Sequence, residues 1–105
     1  MRQDFAHIMY RVQEWAIERG LDKADHHAQL VKLMEEVGEL SEAVLKFGPV
    51  EIEDAIGDIL VVLTVLSLQL DVDDIDDCYN SAYQVIKNRK GKLVNGIYIK
   101  EEDMH

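Results

Sequence analysis

Two acidic segments, each with apolar residues interleaved at helical spacing, limit the possible folds of this chain more than any other feature. They are Glu35-Glu36-Val37-Gly38-Glu39 and residues 51–58. Because residues three and four apart share one face of a helix, these carboxylates point toward neighbouring helices as well as toward water. Two like charges about 4 Å apart repel by about 1 kcal/mol in water, and by about 4 kcal/mol at an effective dielectric constant of about 20. Acids gathered at a helix contact therefore need protons or cations to relieve the repulsion.

The hydrophobic pattern predicts an all-α fold with a four-helix bundle-like core. Apolar residues at three- and four-residue steps predict a first helix over about residues 3–19, closed by Gly20. Asp25 is the predicted N-cap of a second helix, which ends before Phe47-Gly48-Pro49. A third helix is predicted over about residues 50–70 and, after the acidic turn at 71–74, a fourth one to about residue 89.

The C-terminal part changes from a helical to a strand pattern. Apolar pairs flank Asn95-Gly96, which favours a type I′ turn, so we predict a short β-hairpin over residues 92–100. An isolated hairpin is marginal in water, so this one is expected to pack on the helices or on a second subunit. The third helix is apolar nearly all round from Ile59 onward, which places it at the centre of the bundle or in a subunit interface.

Composition predicts one globular domain over residues 1–105, because 48% of the chain is hydrophobic and 30% is charged. The net charge of −10 disfavours a nucleic-acid partner, although a nucleotide held through a divalent metal remains compatible. No signal-peptide layout opens the chain, and the apolar run at 59–70 is shorter than the roughly 20 residues that span a bilayer. We therefore expect a cytoplasmic protein without a membrane partner. Cys78, the only cysteine, is predicted to be a small buried apolar residue.

The acids of the two segments fall in one sector of each predicted helix. The six residues are Glu35, Glu36, Glu39, Glu51, Asp54 and Asp58. Carboxylate oxygens supplemented by waters suit Mg²⁺, with Mn²⁺ as the other possible ion. The second interpretation is a solvated acidic face, in which Lys32 pairs with Glu36 and Lys46 pairs with Glu42, each four residues apart.

Two stretches resemble the MazG-like family of nucleotide pyrophosphohydrolases, which belongs to the all-α NTP pyrophosphatase superfamily. They read KLMEEVGEL and EIEDAIGDILVVL. The family signature is E-E-x-x-E, a spacer, and then E-x-x-D, and this chain matches it with Glu35, Glu36, Glu39 and Asp58. The resemblance extends from about residue 29 to the end, through NRKGKLVNG, and is weak over the first helix.

One position departs from that signature. Ala55 stands three residues before Asp58, where the family usually has Glu. Asp54 lies on the same helix face as Asp58 and is expected to replace the missing ligand, with Glu51 as the other candidate. The resemblance then implies a Mg²⁺ site with four ligands: Glu36, Glu39, Asp54 and Asp58.

The resemblance implies hydrolysis of a nucleoside triphosphate between the α- and β-phosphorus, which gives the monophosphate and pyrophosphate. Glu35, beside the ligands, is the candidate catalytic residue that orients or deprotonates the attacking water. The candidates for substrate binding are four cations and three side chains suited to the base: Lys32, Lys87, Arg89, Lys92, Trp15, Tyr79 and Asn80. For the basic cluster at 87–92 the other interpretation is solvation of a helix end, and for Trp15 it is core packing.

Proteins similar to this one are homodimers or dimers of dimers with active sites between subunits, so we expect a homodimer or homotetramer. The apolar third helix indicates the same, because a second surface is needed to cover it. A second function also stays open. In it, the chain is a non-catalytic acidic helical module that binds a nucleotide or a protein and has lost turnover with the change at Ala55.

Overall fold

A computed structural model describes residues 3–104 of the chain, and these residues form four helices followed by a β-hairpin. The helices are α1 (Phe5–Glu18), α2 (His26–Lys46), α3 (Pro49–Leu70) and α4 (Ile75–Ile86). The strands are β1 (Gly91–Val94) and β2 (Ile97–Lys100). Single 3-10 turns lie at Leu21–Lys23 and Glu101–Asp103. The predicted helical class and the predicted hairpin are both confirmed.

Short polar residues set where the first two helices begin. The side chain of Asp4 accepts a hydrogen bond of 2.8 Å from the backbone N–H of His7, so α1 starts two residues later than predicted. Gly20 follows α1 in the left-handed region at φ 72°, which confirms it as the helix terminator. Asp25 caps α2 as predicted, because its carboxylate accepts from the N–H of His27 at 2.9 Å.

The end of α4 differs from the prediction. This helix ends at Ile86, with Lys87 as its C-cap, and does not continue to residue 89. Lys87 is therefore the C-cap residue and Arg89 lies beyond it, so neither is inside the last helical turn as predicted. The backbone instead turns into the hairpin, and the N–H of Glu101 donates a 2.7 Å hydrogen bond to the carbonyl oxygen of Lys90.

Helix α3 is the centre of the described helices, as its apolar sequence predicted. It packs against α1, α2 and α4, whereas α1 and α2 make little contact with each other. Val62 and Val65 of α3 are buried, and so are Met9 and Ala16 of α1. The side-chain amide of Gln29 on α2 donates a 3.3 Å hydrogen bond to the carbonyl oxygen of Val62, which fixes the antiparallel alignment of α2 and α3.

Helix α4 and the hairpin extend away from this core. The axis of α4 bends 101° from that of α3, and α4 contains no buried residue. The prediction that Cys78 is buried is wrong, because α4 leaves the cysteine exposed. The hairpin turn has positive φ at both Asn95 and Gly96, as a type I′ turn requires. Its strands contact each other and the Glu101–Asp103 turn, and they do not pack extensively on the helices.

The chain exposes more surface than a compact monomer of its size. Its accessible area is 8270 Å², where a folded monomer of 12.0 kDa exposes about 6,000 Å². Its radius of gyration is 16.6 Å, against about 13 Å for a compact domain of this length. Within residues 3–104 no single helix is long and apolar enough to cross a membrane, and α3 with α4 reach that length and composition only as a bent pair.

Candidate active site

The predicted acids lie at the contact between α2 and α3. Gln29 meets Val62 across this antiparallel pair. Both helices rise about 1.5 Å per residue. Glu36 is seven residues after Gln29 on α2, and Ala55 is seven residues before Val62 on α3, so Glu36 and Ala55 lie at the same level of the antiparallel pair. Both of these residues are buried. The position where the family signature has Glu is therefore a small, buried residue close to the level of Glu36.

Glu36 is the only buried acidic residue in the described part of the chain. Its Oε1 lies 3.5 Å from the Nζ of Lys32, and its Oε2 has no hydrogen-bond partner among residues 3–104. One other buried side-chain oxygen there, Oε1 of Gln69, is also unpartnered, but it belongs to a neutral amide. A buried carboxylate oxygen without a partner is costly, so Oε2 of Glu36 is suited to a cation or a hydrogen-bond donor.

The negative charges of two other acids of the predicted site act on the carboxyl group of Glu39. The pKa of its carboxyl is raised, first by the negative charge of Glu36 and then by desolvation and by the charge of Asp58. Lys32 acts in the opposite direction. These four residues are therefore close enough to interact electrostatically, as predicted for the acids of α2 and α3. The solvated-face pairs also occur, between Lys32 and Glu36 and between Lys46 and Glu42.

The predicted ligands do not surround a single point in this conformation. Sets of at least three donor atoms within 4.8 Å of one another occur at residues 25–27 and at Asp74, Asp76 and Asp77 of the described chain, but not at Glu36, Glu39 and Asp58. Glu39 and Asp58 are exposed, so their side chains are free to rotate toward an ion. Glu35 and Asp54 are exposed as well.

A cavity of about 450 Å³ adjoins the acidic site at the start of α3. Its lining includes Glu39, Lys46 and Glu51. Glu51 was the second candidate for replacing the signature Glu, and it is the one that shares a cavity with Glu39. The volume is within the range of about 300–1,000 Å³ that is typical of small-molecule sites.

The basic residues line a different cavity, between the end of α4 and the end of the hairpin. It measures about 690 Å³, and its cationic lining consists of Arg89, Lys90 and Lys100. Of the predicted cations, only Arg89 is in this lining; Lys87 and Lys92 are not. Sequence reasoning missed Lys100, although the predicted two-residue turn at Asn95-Gly96 implies the observed pairing of Lys100 with Gly91.

The residues proposed for the nucleobase lie on α1 and α4. The core interpretation of Trp15 is wrong for this chain, because Trp15 is exposed, with the guanidinium of Arg19 4.7 Å above its ring. Tyr79 is exposed in an apolar groove between α1, α3 and α4. Asn80 accepts a 3.3 Å hydrogen bond from the side chain of Gln84.

The fold and the acids together define a class, that of helical proteins with a carboxylate site between two antiparallel helices. Comparison with known families then gives a specific match: the model of the MazG nucleotide pyrophosphohydrolase domain matches residues 24–93. The chain belongs to this family, which confirms the resemblance found in the sequence. The family is named for nucleotide pyrophosphohydrolase activity. The matched residues include α2, α3 and α4 but not α1, in agreement with the weak resemblance there.

One similar protein comes from Haemophilus phage HP1 (strain HP1c1), where it is described as an uncharacterized 18.2 kDa protein in the rep-hol intergenic region. The two sequences are 37% identical over 73 residues, which is 69% of this chain and 45% of the phage protein. The match thus spans less than half of that relative. No solved structure matches the chain.

Proposed function

We propose that this protein is a Mg²⁺-dependent pyrophosphohydrolase that cleaves ribo- or deoxyribonucleoside triphosphates to the monophosphate and pyrophosphate. Mn²⁺ is expected to support the reaction in place of Mg²⁺. The observation that carries the proposal is Glu36, a buried carboxylate with one oxygen unpartnered, at a position of the family signature. Natural proteins seldom leave such an oxygen unpaired unless a ligand or an ion completes it.

The donor set fits a hard divalent cation. Glu36, Glu39 and Asp58 offer oxygen atoms only, and they carry three negative charges against one nearby lysine. Asp54 or Glu51 supplies the fourth carboxylate of the proposed site. When bound, Mg²⁺ neutralises charge on the triphosphate oxygens and makes a coordinated water more acidic.

The remaining chemistry is assigned to residues of this chain. Glu35 is exposed on α2 next to Glu36, where it orients the attacking water and accepts its proton. The water oxygen bonds to one phosphorus of the α–β anhydride while the bridging P–O bond breaks. Pyrophosphate and the nucleoside monophosphate are the two products.

A second subunit is proposed to complete the site. In one chain the acidic and basic cavities are separate, and α4 leads away from α3 at 101°. A homodimer or homotetramer places the Arg89, Lys90 and Lys100 cavity of one subunit near the acids of another. The chain exposes more surface than a compact monomer, and this surface includes many large apolar side chains. Burial of these side chains against a second subunit would support the proposed assembly.

Replacing Glu36 tests the proposal directly. Glu36→Gln is expected to lower the rate of pyrophosphate release by at least about 100-fold, because loss of even an indirect metal contact costs about 10–100-fold. Glu53→Gln is the matched control, since Glu53 is exposed on α3 and is predicted to be solvated. Both variants are incubated with Mg²⁺ and each common nucleotide, and the products are resolved chromatographically. Equal rates for the two variants would contradict the assignment of Glu36.

The non-catalytic alternative has one observation in its favour, the replacement of the signature Glu by buried Ala55. It predicts that wild-type protein binds a divalent ion and nucleotide but leaves every triphosphate intact. The same product assay on the wild type distinguishes the two functions.

A further inference from the structure

Lys32 forms an ion pair with Glu36. The Lys32 Nζ lies 3.5 Å from Oε1 of Glu36, one helical turn away on α2. The lysine side chain is 55% exposed, whereas that of Glu36 is only 8% exposed. The charge on the buried carboxylate is thus balanced by an ammonium group that is largely in water and free to move.

This pairing is incomplete. Charge-assisted N–H···O bonds are usually about 2.7–2.9 Å long, so the lysine balances the charge of Glu36 without a short hydrogen bond. The other oxygen of Glu36 is buried and has no partner in the described residues. Glu39 and Asp58 add two further negative charges that act on the same place. One monovalent cation therefore serves at least three acids, and the negative charge that remains suits a divalent ion.

We propose that Lys32 is an internal counter-ion of the metal-free site: it stabilises buried Glu36 until a divalent cation binds, and it competes with that cation for the carboxylate. This inference rests on the metal site proposed above and goes beyond it. It assigns Lys32 a role in metal affinity and in stability of the metal-free protein, in place of the predicted contact with substrate.

The sign of the effect follows from charge. A divalent ion bound to Glu36 would be repelled by the ammonium group of Lys32, which lies 3.5 Å from Oε1 of that carboxylate. Removing the ammonium group is therefore expected to tighten metal binding. It also leaves Glu36 buried without any counter-ion, so the metal-free protein loses stability.

A lysine outside α2 provides a matched control. Lys23 is exposed in the 3-10 turn that precedes α2. Helix α2 begins at His26, ten residues or about 15 Å before Glu36, which is beyond a Debye length of about 8–10 Å. Lys23→Met changes the net charge by the same amount as Lys32→Met without touching Glu36.

The experiment measures Mn²⁺ binding by isothermal titration calorimetry and the midpoint of thermal unfolding, both on nucleotide-free protein at one fixed pH. Lys32→Met is expected to bind Mn²⁺ about tenfold more tightly than wild type. It is also expected to unfold at a lower temperature without metal and at nearly the wild-type temperature with saturating Mn²⁺. Lys23→Met is expected to change the Mn²⁺ affinity by less than about twofold. If Lys32→Met does not fold, Lys32→Gln provides the same comparison, because it removes the charge but keeps a hydrogen-bond donor.

Two results would overturn the inference, and they differ in what else they affect. An unchanged Mn²⁺ affinity in Lys32→Met, together with a raised KM for the triphosphate, would make Lys32 a substrate ligand and leave the proposed metal site intact. Absence of Mn²⁺ binding to wild type and variant alike would contradict both the inference and the proposed metal site.

Discussion

Placing aspartate at Leu60 is expected to separate the subunits of the proposed oligomer while leaving each chain folded. Leu60 is 39% exposed in the single chain. It lines two adjoining apolar grooves of about 770 and 320 Å³, both between α1, α3 and α4. Because Leu60 still has access to water in the single chain, a charged side chain there is tolerated without a partner and penalised only when a second subunit covers it.

The expected magnitude follows from the exposed area and from the cost of burying a charge. The area beyond that of a compact monomer is about 2,000 Å² per chain, well above the roughly 800 Å² per partner of a standard interface. An unpaired carboxylate buried at an interface costs about 3–5 kcal/mol, and a two-fold dimer buries two of them. The dimer dissociation constant of Leu60→Asp should therefore rise by at least about 10⁴-fold.

Sedimentation velocity over a wide range of protein concentration measures this shift, and far-UV circular dichroism verifies that the variant keeps its helices. Leu60→Met is the control, since it keeps an apolar side chain of similar volume and should sediment as the wild type does. The reasoning would be refuted by wild type that sediments as a 12.0 kDa monomer at every concentration. It would also be refuted by Leu60→Asp protein with the wild-type assembly state.

Two further predictions concern pH and the hairpin. The pKa of Glu39 is raised above its ordinary value of 4.5, first by the negative charge of Glu36. The metal-free protein should therefore lose stability as the pH rises from 4.5 through the raised pKa, because Glu39 then ionises next to the charge of Glu36. Subtracting the thermal midpoints of Glu39→Gln from those of wild type across this range should show that loss, and a difference independent of pH would contradict it. Gly91→Ala should destabilise the hairpin by about 1–3 kcal/mol, because a Cβ there meets the carbonyl oxygen of Ile99 and the ring of Tyr98. Faster amide exchange in β1 and β2 would show it, whereas unchanged exchange would mean that the strands move apart at no cost.

The helix boundaries that the sequence predicted well are those with a chemical signal of their own. Asp25 marks the start of α2 through its capping carboxylate, and Gly20 marks the end of α1 through its left-handed backbone. Both signals can be read directly from the sequence. The end of α4 was missed because residues 87–90 are polar and carry no apolar periodicity. The basic residues there suited a helix C-terminus as well as the loop they form.

Burial was harder to predict than secondary structure. Trp15 and Cys78 occupy apolar positions of their helices, and both are exposed in the single chain. Periodicity identifies the face of a helix that needs a cover, but it does not say whether the cover comes from the same chain. That depends on the direction of α4, which turns 101° away from α3 after a four-residue link, and no local pattern encodes this angle.

The sequence predicted which acids belong to the candidate site, but not which of them is buried or where the basic residues lie. Helical spacing predicted that Glu36, Glu39 and Asp58 lie near one another, and the charges of Glu36 and Asp58 both raise the pKa of Glu39. Spacing did not reveal that only Glu36 is buried, since this depends on how closely α2 and α3 approach at Ala55. Nor did it reveal that the basic residues lie in a separate cavity, because strand pairing brings Lys100 to that cavity.

Helix α3 connects the proposed site with the proposed interface. Asp58 and Leu60 are two residues apart, which is about 200° around a helix, so they point to nearly opposite sides. One side carries the acids that act with Glu36, and the other lines the apolar grooves. A partner seated in those grooves would fix the rotation of α3 about its axis, and with it the direction of the Asp58 carboxylate. Assembly and metal affinity should consequently change together: Leu60→Asp, which leaves every acid in place, is expected to weaken Mn²⁺ binding as well as association.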